Sequence, residues 1–382
     1  MNICVLSHRY PYKDNMVHVF VKKLVDEWAK LGHRCVVVSP LSITHLMLGK
    51  EKYAPAYERQ KVSNGFFVEI YRPRYFAIPR VVIRGVNICS FMEQRCIEDT
   101  IRETGVKFDV IYCHFYAMAI LGWNYARLNN IPLFVATGES SYSKFGNPSR
   151  SFSIEKLRDT LAGVVAVSSK NMNEAISLGY AKASCSEVFP NAADLQLYEK
   201  KDKEMCRKKM GLPKEAFIII CVGQFIERKG QRRILAALDI LKNDNIKTVF
   251  IGKGDDVLEH NSIVFKGIVQ NSLIPEYLNA ADIFVLPTLK EGCCNAIIEA
   301  LACGLPVISS DRTFNYDVLN SKNSILVDPC DVNAIANAIK VLYDNKKKRE
   351  SMALQSYSTG RKLSIEERAQ NILYFINKKM NI

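Results

Sequence analysis

Short apolar runs alternate with amphipathic segments along the whole chain, and this alternation predicts parallel α/β architecture. The first run, Ile3–Ser7, precedes a segment, His18–Leu31, whose apolar side chains recur on one helical face. The later runs have the length and composition of buried strands; they are Arg34–Ser39, Val110–His114, Leu133–Thr137, Val164–Ser168, Glu187–Phe189, Phe217–Gly223, Thr248–Gly252, Ile263–Lys266, Ile283–Pro287, Val307–Ser309 and Ser324–Val327. Helices are predicted between most of these strands.

The length of 382 residues exceeds one ordinary hydrophobic core, so two domains are expected. The turn Phe189–Asp194, which a charged stretch follows, marks their join. We therefore expect a first Rossmann-like domain over 1–194 and a second over 195–364, with a closing helix at 365–382 packed back on the first. Doubly wound sheets bind ligands beyond the carboxyl ends of their strands, so two such domains facing across a cleft would each supply one substrate site.

Composition is typical of a globular protein in a reducing compartment. Hydrophobic residues make up 48% of the chain and charged residues 24%. The 12 cysteines include no Cys-x-x-Cys pair, which favours reduced thiols over disulfides or a zinc site. No apolar stretch approaches the ~20 residues of a membrane helix, and the start of the chain has no signal-peptide pattern. We therefore expect a cytoplasmic protein.

The net charge of +13 indicates an anionic partner. Nucleic acid is not expected, because no helix-turn-helix, zinc-finger or RNP pattern is present. The segment Tyr71–Gly85 mixes aromatic and aliphatic residues with four arginines. That composition suits a peripheral contact with the anionic inner face of the plasma membrane. The alternative is a loop that packs back on its own domain.

The strongest chemical signal follows the predicted strand that ends at Pro287. Glu291 stands in a glycine-containing loop, and Glu299 follows eight positions later in a short apolar helix. The start of a helix presents free N–H groups to a phosphate, and ionised carboxylates accept hydrogen bonds from sugar hydroxyls. The pattern therefore indicates a nucleotide sugar. The alternative, a pair of ordinary surface acids, is disfavoured by the apolar neighbours of Glu299.

Glycines and basic residues follow two other predicted strands. Gly223 opens the turn that carries Arg228 and Lys229. A glycine and a basic pair at such a turn can approach a pyrophosphate and offset the charge of a leaving group; a plain surface turn is the alternative. Gly252 ends a second strand, where it can line the nucleotide or merely turn the chain.

In the first half of the chain, polar residues end two neighbouring predicted strands. His114 can point into the cleft and hydrogen-bond a sugar, although a lone histidine is more often structural. Thr137 and Glu139 lie at the same level after the next strand. Lys144 belongs to a polar stretch, extending to Arg150, that can form a mobile loop over the acceptor.

Together these residues resemble the group 1 glycosyltransferases, a retaining family that includes glycogen synthases, sucrose synthases and many bacterial polysaccharide and lipid glycosyltransferases. The most specific matches are the turn at Lys229 and the Glu291 to Glu299 motif. Weaker matches extend over nearly the whole chain; they are Arg9-Tyr-Pro11, Gly32-His33, Asp109-Val-Ile-Tyr-Cys-His114, Pro190-Asn191-Ala-Ala-Asp194, Asp311 to Asp317 and Asn323 to Asp328.

The resemblance implies a GT-B fold and metal-independent transfer with retention, by front-side attack in which the leaving phosphate assists as base. No cofactor is implied beyond the nucleotide diphosphate sugar. By the same resemblance, Glu291 binds donor-sugar hydroxyls, Glu299 binds the ribose, Lys229 binds the diphosphate and His114 contacts the sugar near the anomeric carbon. Sugar or phosphate would be held by the loop amides of Gly292, Cys293, Cys294 and Asn295.

This chain departs from the family pattern at three places: Pro11–His18 replaces a glycine-rich loop, Gln224 an arginine, and Ala192 a glycine. The main hypothesis is a hexosyltransferase that moves a hexose or N-acetylhexosamine to a glycan or lipid-linked glycan acceptor in cell-surface polysaccharide biosynthesis. The departures motivate a second hypothesis, an idle nucleotide-sugar- or glycan-binding subunit that supports a partner enzyme. An NAD oxidoreductase is disfavoured, because no Gly-x-Gly-x-x-Gly follows the first strand.

Overall fold

The computed structural model describes residues 1–13, 17–78, 81–138 and 146–381. Contacts divide these residues into two compact units. The first unit contains the described residues up to Phe189 and the chain from Arg368 onward, and the second unit is the continuous segment Pro190–Glu367. Each unit is built around one largely parallel sheet with helices packed on it.

The described part of the first unit contains twelve strands and six helices before the chain leaves it. Its strands are β1 Asn2–Ser7, β2 Arg34–Val38, β3 Leu41–Ser42, β4 Tyr57–Lys61, β5 Phe67–Tyr71, β6 Arg74–Tyr75, β7 Val82–Ile83, β8 Val86–Asn87, β9 Val110–His114, β10 Leu133–Thr137, β11 Leu161–Ala166 and β12 Ser186–Val188. Its helices are α1 Val19–Lys30, α2 Ile43–Met47, α3 Ile88–Glu103, α4 Tyr116–Leu128, α5 Ile154–Thr160 and α6 Ser169–Ser177.

Eight of these strands form the main sheet of the first unit, in the order β12-β11-β10-β9-β1-β2-β5-β4. The strand order reverses direction between β1 and β9, which are parallel neighbours. At their carboxyl ends Ser7 lies opposite His114, and His114 lies opposite Ala136 on the other side. His114 therefore occupies the point where ligands of doubly wound sheets bind.

The sequence pattern did not reveal the edge of this sheet. Strand β4 pairs antiparallel with β5, and its sequence Tyr-Glu-Arg-Gln-Lys is polar and half-exposed. A solvated edge strand needs no apolar run, so hydrophobicity does not mark it. The described part of the Tyr71–Gly85 segment contributes β6, which pairs with β3, and β7, which pairs with β8. Val82 and Ile83 of β7 are exposed.

The second unit contains six strands and six helices, and a seventh helix carries the chain out of it. The strands are β13 Phe217–Val222, β14 Ile246–Ile251, β15 Ile263–Gly267, β16 Ile283–Leu286, β17 Val307–Ser310 and β18 Ser324–Val327. The helices are α7 Lys203–Met210, α8 Gln231–Leu241, α9 Ile274–Ala280, α10 Asn295–Ala302, α11 Val332–Asp344, α12 Lys346–Arg361 and α13 Ile365–Met380.

The sheet of the second unit is entirely parallel and has the order β15-β14-β13-β16-β17-β18. Its central strands are buried on both faces, and therefore they read as continuous apolar runs in the sequence. The order reverses between β13 and β16, the first and fourth strands. Loops that follow these two strands meet at the carboxyl edge and form the ligand-binding position of such sheets.

Helix α13 returns the chain to the first unit. The indole of Trp28 donates a hydrogen bond to the carbonyl oxygen of Ala369 over 3.1 Å. The ring of Phe375 lies 6.0 Å from that of Phe134 and 5.5 Å from that of Phe189. These aromatic contacts place the later part of α13 in the core of the first unit.

The described residues contain no helix that combines the length and apolar character needed to cross a bilayer.

Candidate active site

The two loops that leave the switch point of the second unit carry the strongest sequence signals. A 3₁₀ turn, Glu227–Lys229, follows β13, and the loop from Pro287 to Cys294 joins β16 to α10. The amide of Leu289 donates to the carbonyl oxygen of Arg228 over 2.9 Å, so the backbones of the two loops are joined. Residues that are 61 positions apart in sequence are thereby brought into contact.

Glu291 is the centre of these contacts. One oxygen, Oε1, accepts hydrogen bonds from Lys229 Nζ at 2.6 Å, Arg228 Nη1 at 2.7 Å and Thr288 Oγ1 at 2.9 Å. The side chains of Lys229 and Glu291 are only 11% and 13% exposed. A half-buried carboxylate with three donors on one oxygen has a fixed position. The structure therefore brings together three of the residues expected to bind the donor, and it adds Thr288.

The charge of Lys229 is maintained by its neighbours. Burial alone would lower the pKa of Lys229, but Cys294 and Glu291 outweigh burial and hold that pKa above its ordinary value. The ammonium group is therefore charged at neutral pH. Together Arg228, Lys229 and Glu291 leave one positive charge in excess beside the start of α10, where the helix dipole also favours an anion.

Glycines at the strand ends allow the backbones to approach closely. A Cβ atom added to Gly252 would lie 1.9 Å from the carbonyl oxygen of Gly223, and φ at Gly252 is +151°. Gly230 has φ +85° and packs against Pro287, whose carbonyl oxygen would lie 2.6 Å from an added Cβ. These glycines are needed for packing at the site as well as for any approach of a ligand.

Asn191 fixes the loop before α10 and is not among the site residues expected from the sequence. Its side-chain amide donates to the carbonyl oxygen of Cys293 over 2.9 Å and to Oδ1 of Asn295 over 2.8 Å. The resemblance of Pro190-Asn191-Ala-Ala-Asp194 to a family motif was the available signal. Asn191 thus holds in place the loop whose backbone amides are expected to bind sugar or phosphate.

The loop cysteines differ in exposure. Cys294 is buried and is the N-cap residue of α10, and Cys293 is half-buried. Burial raises the pKa of the Cys294 thiol, and Lys229 opposes this rise only in part. The thiol is therefore protonated at neutral pH and is a poor nucleophile. Gly292 is buried and Asn295 exposed, so the loop reaches solvent at the first residue of the helix.

Glu299 is less buried than its apolar neighbours in the sequence suggested. Asn295, Ala296 and Glu299 share the accessible face of α10, while Ile297 and Ile298 are buried. Burial and then the charge of Glu299 raise the pKa of Tyr198, which also hydrogen-bonds that carboxylate. Tyr198 thus orients Glu299 and was not identified from the sequence.

In the first unit, His114 is buried in an aromatic environment. The rings of Tyr112, Phe115 and Phe20 lie 5.1, 5.7 and 6.0 Å from its imidazole. Neither ring nitrogen has a hydrogen-bond partner among the described residues. Burial, and then the charges of Arg368 and His18, lower the pKa of His114 to about 3. His114 is therefore neutral and has polar atoms available for a ligand, but it is not an acid at neutral pH.

The structure says less about the other residues that were expected to bind the acceptor. Thr137 is fully buried at the end of β10. Glu139 and Lys144 lie outside the described residues.

A buried carboxylate near the end of β1 was not expected from the sequence. Glu93 Oε1 lies 3.4 Å from His8 Nδ1, and burial raises the pKa of Glu93 to about 7.

Within the part of the chain that the structure describes, no three His, Cys, Asp or Glu side chains are grouped as a metal ion would require. The metal-independent mechanism stays a prediction from the family resemblance.

Two family models match the chain, and they meet close to the boundary between the units. The model of glycosyl transferases group 1 matches residues 202–359, and that of glycosyltransferase family 4 matches residues 17–197. The chain belongs to the group 1 glycosyltransferases. We therefore interpret Glu291 and Lys229 as candidate residues for glycosyl transfer.

Two relatives of this glycosyltransferase have names that specify a pathway or a substrate. TuaC of Bacillus subtilis, whose name places it among the glycosyltransferases of teichuronic acid biosynthesis, is 28% identical over 84% of this chain and 83% of its own length. A UDP-Gal:α-D-GlcNAc-diphosphoundecaprenol α-1,3-galactosyltransferase of Escherichia coli is 25% identical over 63% of this chain and 67% of its own.

Solved structures share the fold of this glycosyltransferase. Sucrose-phosphate synthase of Thermosynechococcus elongatus aligns with a TM-score of 0.74 at 18% identity, covering 100% of this chain and 99% of that one. Anabaena HepE in complex with UDP also aligns with a TM-score of 0.74, at 16% identity, covering 99% of this chain and 100% of that one. The predicted GT-B fold class is confirmed.

Proposed function

We propose that this glycosyltransferase moves a hexose or N-acetylhexosamine from a nucleoside diphosphate sugar to a glycan or lipid-linked glycan acceptor in cell-surface polysaccharide biosynthesis. The observation that carries the proposal is the fixed Glu291 carboxylate, held by Lys229, Arg228 and Thr288 at the switch point of the second unit. A carboxylate in a fixed position can accept bonds from sugar hydroxyls, and the adjacent cations and helix start suit a diphosphate.

In the proposed donor complex, Lys229 and Arg228 face the diphosphate and stabilise the negative charge that grows on the leaving group. Glu291 receives hydroxyls of the transferred sugar. Glu299, oriented by Tyr198, receives the ribose hydroxyls. The net positive charge of the Lys229 cluster supports this assignment, because a neutral cluster would not offset a diphosphate.

Transfer is proposed to retain the anomeric configuration without a metal and without a protein nucleophile. The protonated thiol of Cys294 supports the second point. Burial keeps His114 neutral. It would therefore form a hydrogen bond with the sugar and would not transfer a proton to it. The leaving phosphate is then the base that receives the acceptor proton.

The names of the relatives support the substrate classes. Teichuronic acid and a diphosphoundecaprenol-linked sugar appear in two of those names, and HepE has been crystallised with UDP-glucose. We propose that the protein works in the cytoplasm at the inner face of the plasma membrane. Its net charge of +13 and the exposed side chains of Val82 and Ile83 support a peripheral contact there.

The experiment that tests the proposal combines a donor screen with transfer assays. Thermal shift with UDP, GDP and ADP sugars identifies the donor, since a ligand at 100 times its Kd stabilises by about 2.7 kcal/mol. With that donor, Glu291→Gln and Lys229→Met should each lower kcat/KM by roughly 30- to 1000-fold, the effect of losing one charged contact to the transition state. Glu227→Gln, an exposed carboxylate in the same turn, is the matched control and should keep activity.

Each outcome decides between the hypotheses. Unchanged turnover in the Glu291 and Lys229 variants refutes their roles. Donor binding without transfer by the purified chain, restored by a partner enzyme, favours the idle subunit. The product anomer, read by NMR, must match the donor if transfer is retaining.

A further inference from the structure

A cavity of about 240 Å³ opens in the first unit at the carboxyl ends of β1 and β2. The loop after β1 contributes Arg9 and Tyr12, and the segment after α2 contributes Lys50, Lys52 and Tyr53. The cavity has room for roughly eight water molecules at ~30 Å³ each, which is enough for a diphosphate or a small sugar phosphate. Part of its lining belongs to the stretch that replaces the glycine-rich loop of the family.

Among the described lining residues of this cavity, unpaired cations outnumber carboxylates. Arg9, Lys50 and Lys52 are exposed, and in the described ranges none of them forms an ion pair. Among the described residues that line the cavity, Glu51 is the one carboxylate, and His45 lies 3.9 Å from it. Three cations and one carboxylate leave two positive charges in excess, which is the charge that a phosphate monoester or a diphosphate diester would neutralise. A ligand with a single carboxylate would neutralise only one of these two positive charges.

The walls of the cavity are held together by a different arginine. Arg72 is only 1% exposed and donates to Glu58 Oε2 at 3.0 Å. It also reaches the carbonyl oxygens of Pro11 at 3.4 Å and Pro55 at 3.5 Å. Arg72 is neutralised by Glu58 and ties the loop after β1 to the segment after α2. The three exposed cations therefore project from walls whose relative position is fixed, which reduces the cost of ordering them around an anion.

Exposed apolar side chains belong to the same segments that line the cavity. Tyr53 is 73% exposed at the cavity, and Met47 and Leu48 of the same segment are 80% and 61% exposed. The side chain of Thr44 donates to the carbonyl oxygen of Ala77 over 3.0 Å, and Phe76 and Ile78 on either side of Ala77 are also exposed. An anion-binding cavity beside an apolar surface suits a ligand with a charged group and a hydrocarbon part.

We propose that this cavity binds the phosphate or diphosphate group of the acceptor, as an anion site separate from the donor-binding residues of the second unit. The proposal rests on the proposed function, because it takes the first unit to be the acceptor-binding unit. Arg9, Lys50 and Lys52 contact the anion, and Arg72 is a positioning residue.

The test measures binding of geranyl diphosphate to the full chain by calorimetry, in saturating UDP so that nucleotide-binding residues are occupied. The variant carries Arg9→Gln, Lys50→Gln and Lys52→Gln. The matched control carries Lys61→Gln, Arg95→Gln and Lys107→Gln, which remove the same three charges from exposed positions that do not line the cavity. UDP binding to each protein, measured separately, reports on folding and on the donor site.

We expect the cavity variant to bind geranyl diphosphate at least tenfold more weakly than wild type, and the control variant to stay within twofold. Added salt should weaken the wild-type complex, and geraniol should bind much more weakly than its diphosphate. Equal losses in both variants, no loss in the cavity variant, or tighter binding of sodium glucuronate than of geranyl diphosphate would overturn the proposal. Absence of UDP binding in wild type would instead count against the proposed function, while the comparison of variants still decides the cavity.

Discussion

Removing Glu291 should destabilise the second unit more than removing its buried partner Lys229. The Glu291→Ala change leaves two cations, Lys229 and Arg228, that both lay within 2.7 Å of the lost oxygen. Breaking a buried pair in this way costs about 3–5 kcal/mol. The Lys229→Ala change leaves Glu291 bonded to Arg228 and Thr288, so its cost should be about 2 kcal/mol, the value of one charged hydrogen bond.

The double variant tests the coupling directly. With both residues gone, the remaining cation is Arg228, whose side chain is 35% exposed and can turn to solvent. The combined cost should therefore fall about 2 kcal/mol or more below the sum of the two single changes, as expected for residues in one network.

Hydrogen–deuterium exchange of the segment 283–302 measures these costs, with strand β9 of the first unit as the internal reference. At tenfold per 1.36 kcal/mol, exchange should accelerate by roughly 150- to 5000-fold in Glu291→Ala and by roughly 30-fold in Lys229→Ala, provided that opening is local to the unit. A Lys229→Ala effect equal to or larger than that of Glu291→Ala, or strictly additive effects, would refute this account of the cluster.

Three further changes probe other contacts. Gly252→Ala should lower the melting temperature more than Gly211→Ala, whose positive φ in open space costs alanine only about 1–2 kcal/mol; equal falls would contradict the backbone contact. Asn191→Ala should weaken nucleotide-sugar binding about tenfold, or ~1.4 kcal/mol, measured by calorimetry, with little change in melting temperature. Burial raises the pKa of Glu93 from 4.5 to about 7, so its stabilising contribution is present below pH 4.5 and lost as the pH rises through 7. Glu93→Gln should therefore raise stability by about 3 kcal/mol at pH 8 and by almost nothing at pH 4 in urea titrations; a gain that does not depend on pH would exclude this cause.

The fold could be predicted because the central strands of both units are buried on two faces. Phe217–Val222 and Ile283–Leu286 are continuous apolar runs, and such runs are visible without any alignment. Strand β4 could not be predicted in this way, because an exposed edge places no apolar requirement on Tyr57–Lys61. Pattern reasoning therefore recovers the interior of a sheet more readily than its margin.

The candidate site could be predicted in its residues but not in its pairing. Glu291 and Lys229 each stood out through their own neighbours in sequence, yet their contact depends on β13 lying beside β16, which is a property of strand order. Asn191 and Tyr198 were missed because each acts on another residue, and no local pattern records such an indirect role. The roles expected of Glu291, Lys229, Glu299 and His114 stay predictions until ligands are tested.

The return of α13 to the first unit affects the order in which the protein can fold during translation. The segment Pro190–Glu367 emerges from the ribosome as one continuous stretch. The second unit can therefore form its hydrophobic core as soon as that stretch has emerged. The first unit, although begun earlier, must wait for Phe375 to fill the space beside Phe134 and Phe189. The second unit can thus complete its core before the first, the reverse of the usual amino-terminal-first order, and we expect nascent chains stalled before Arg368 to depend on chaperones that protect an unfinished sheet.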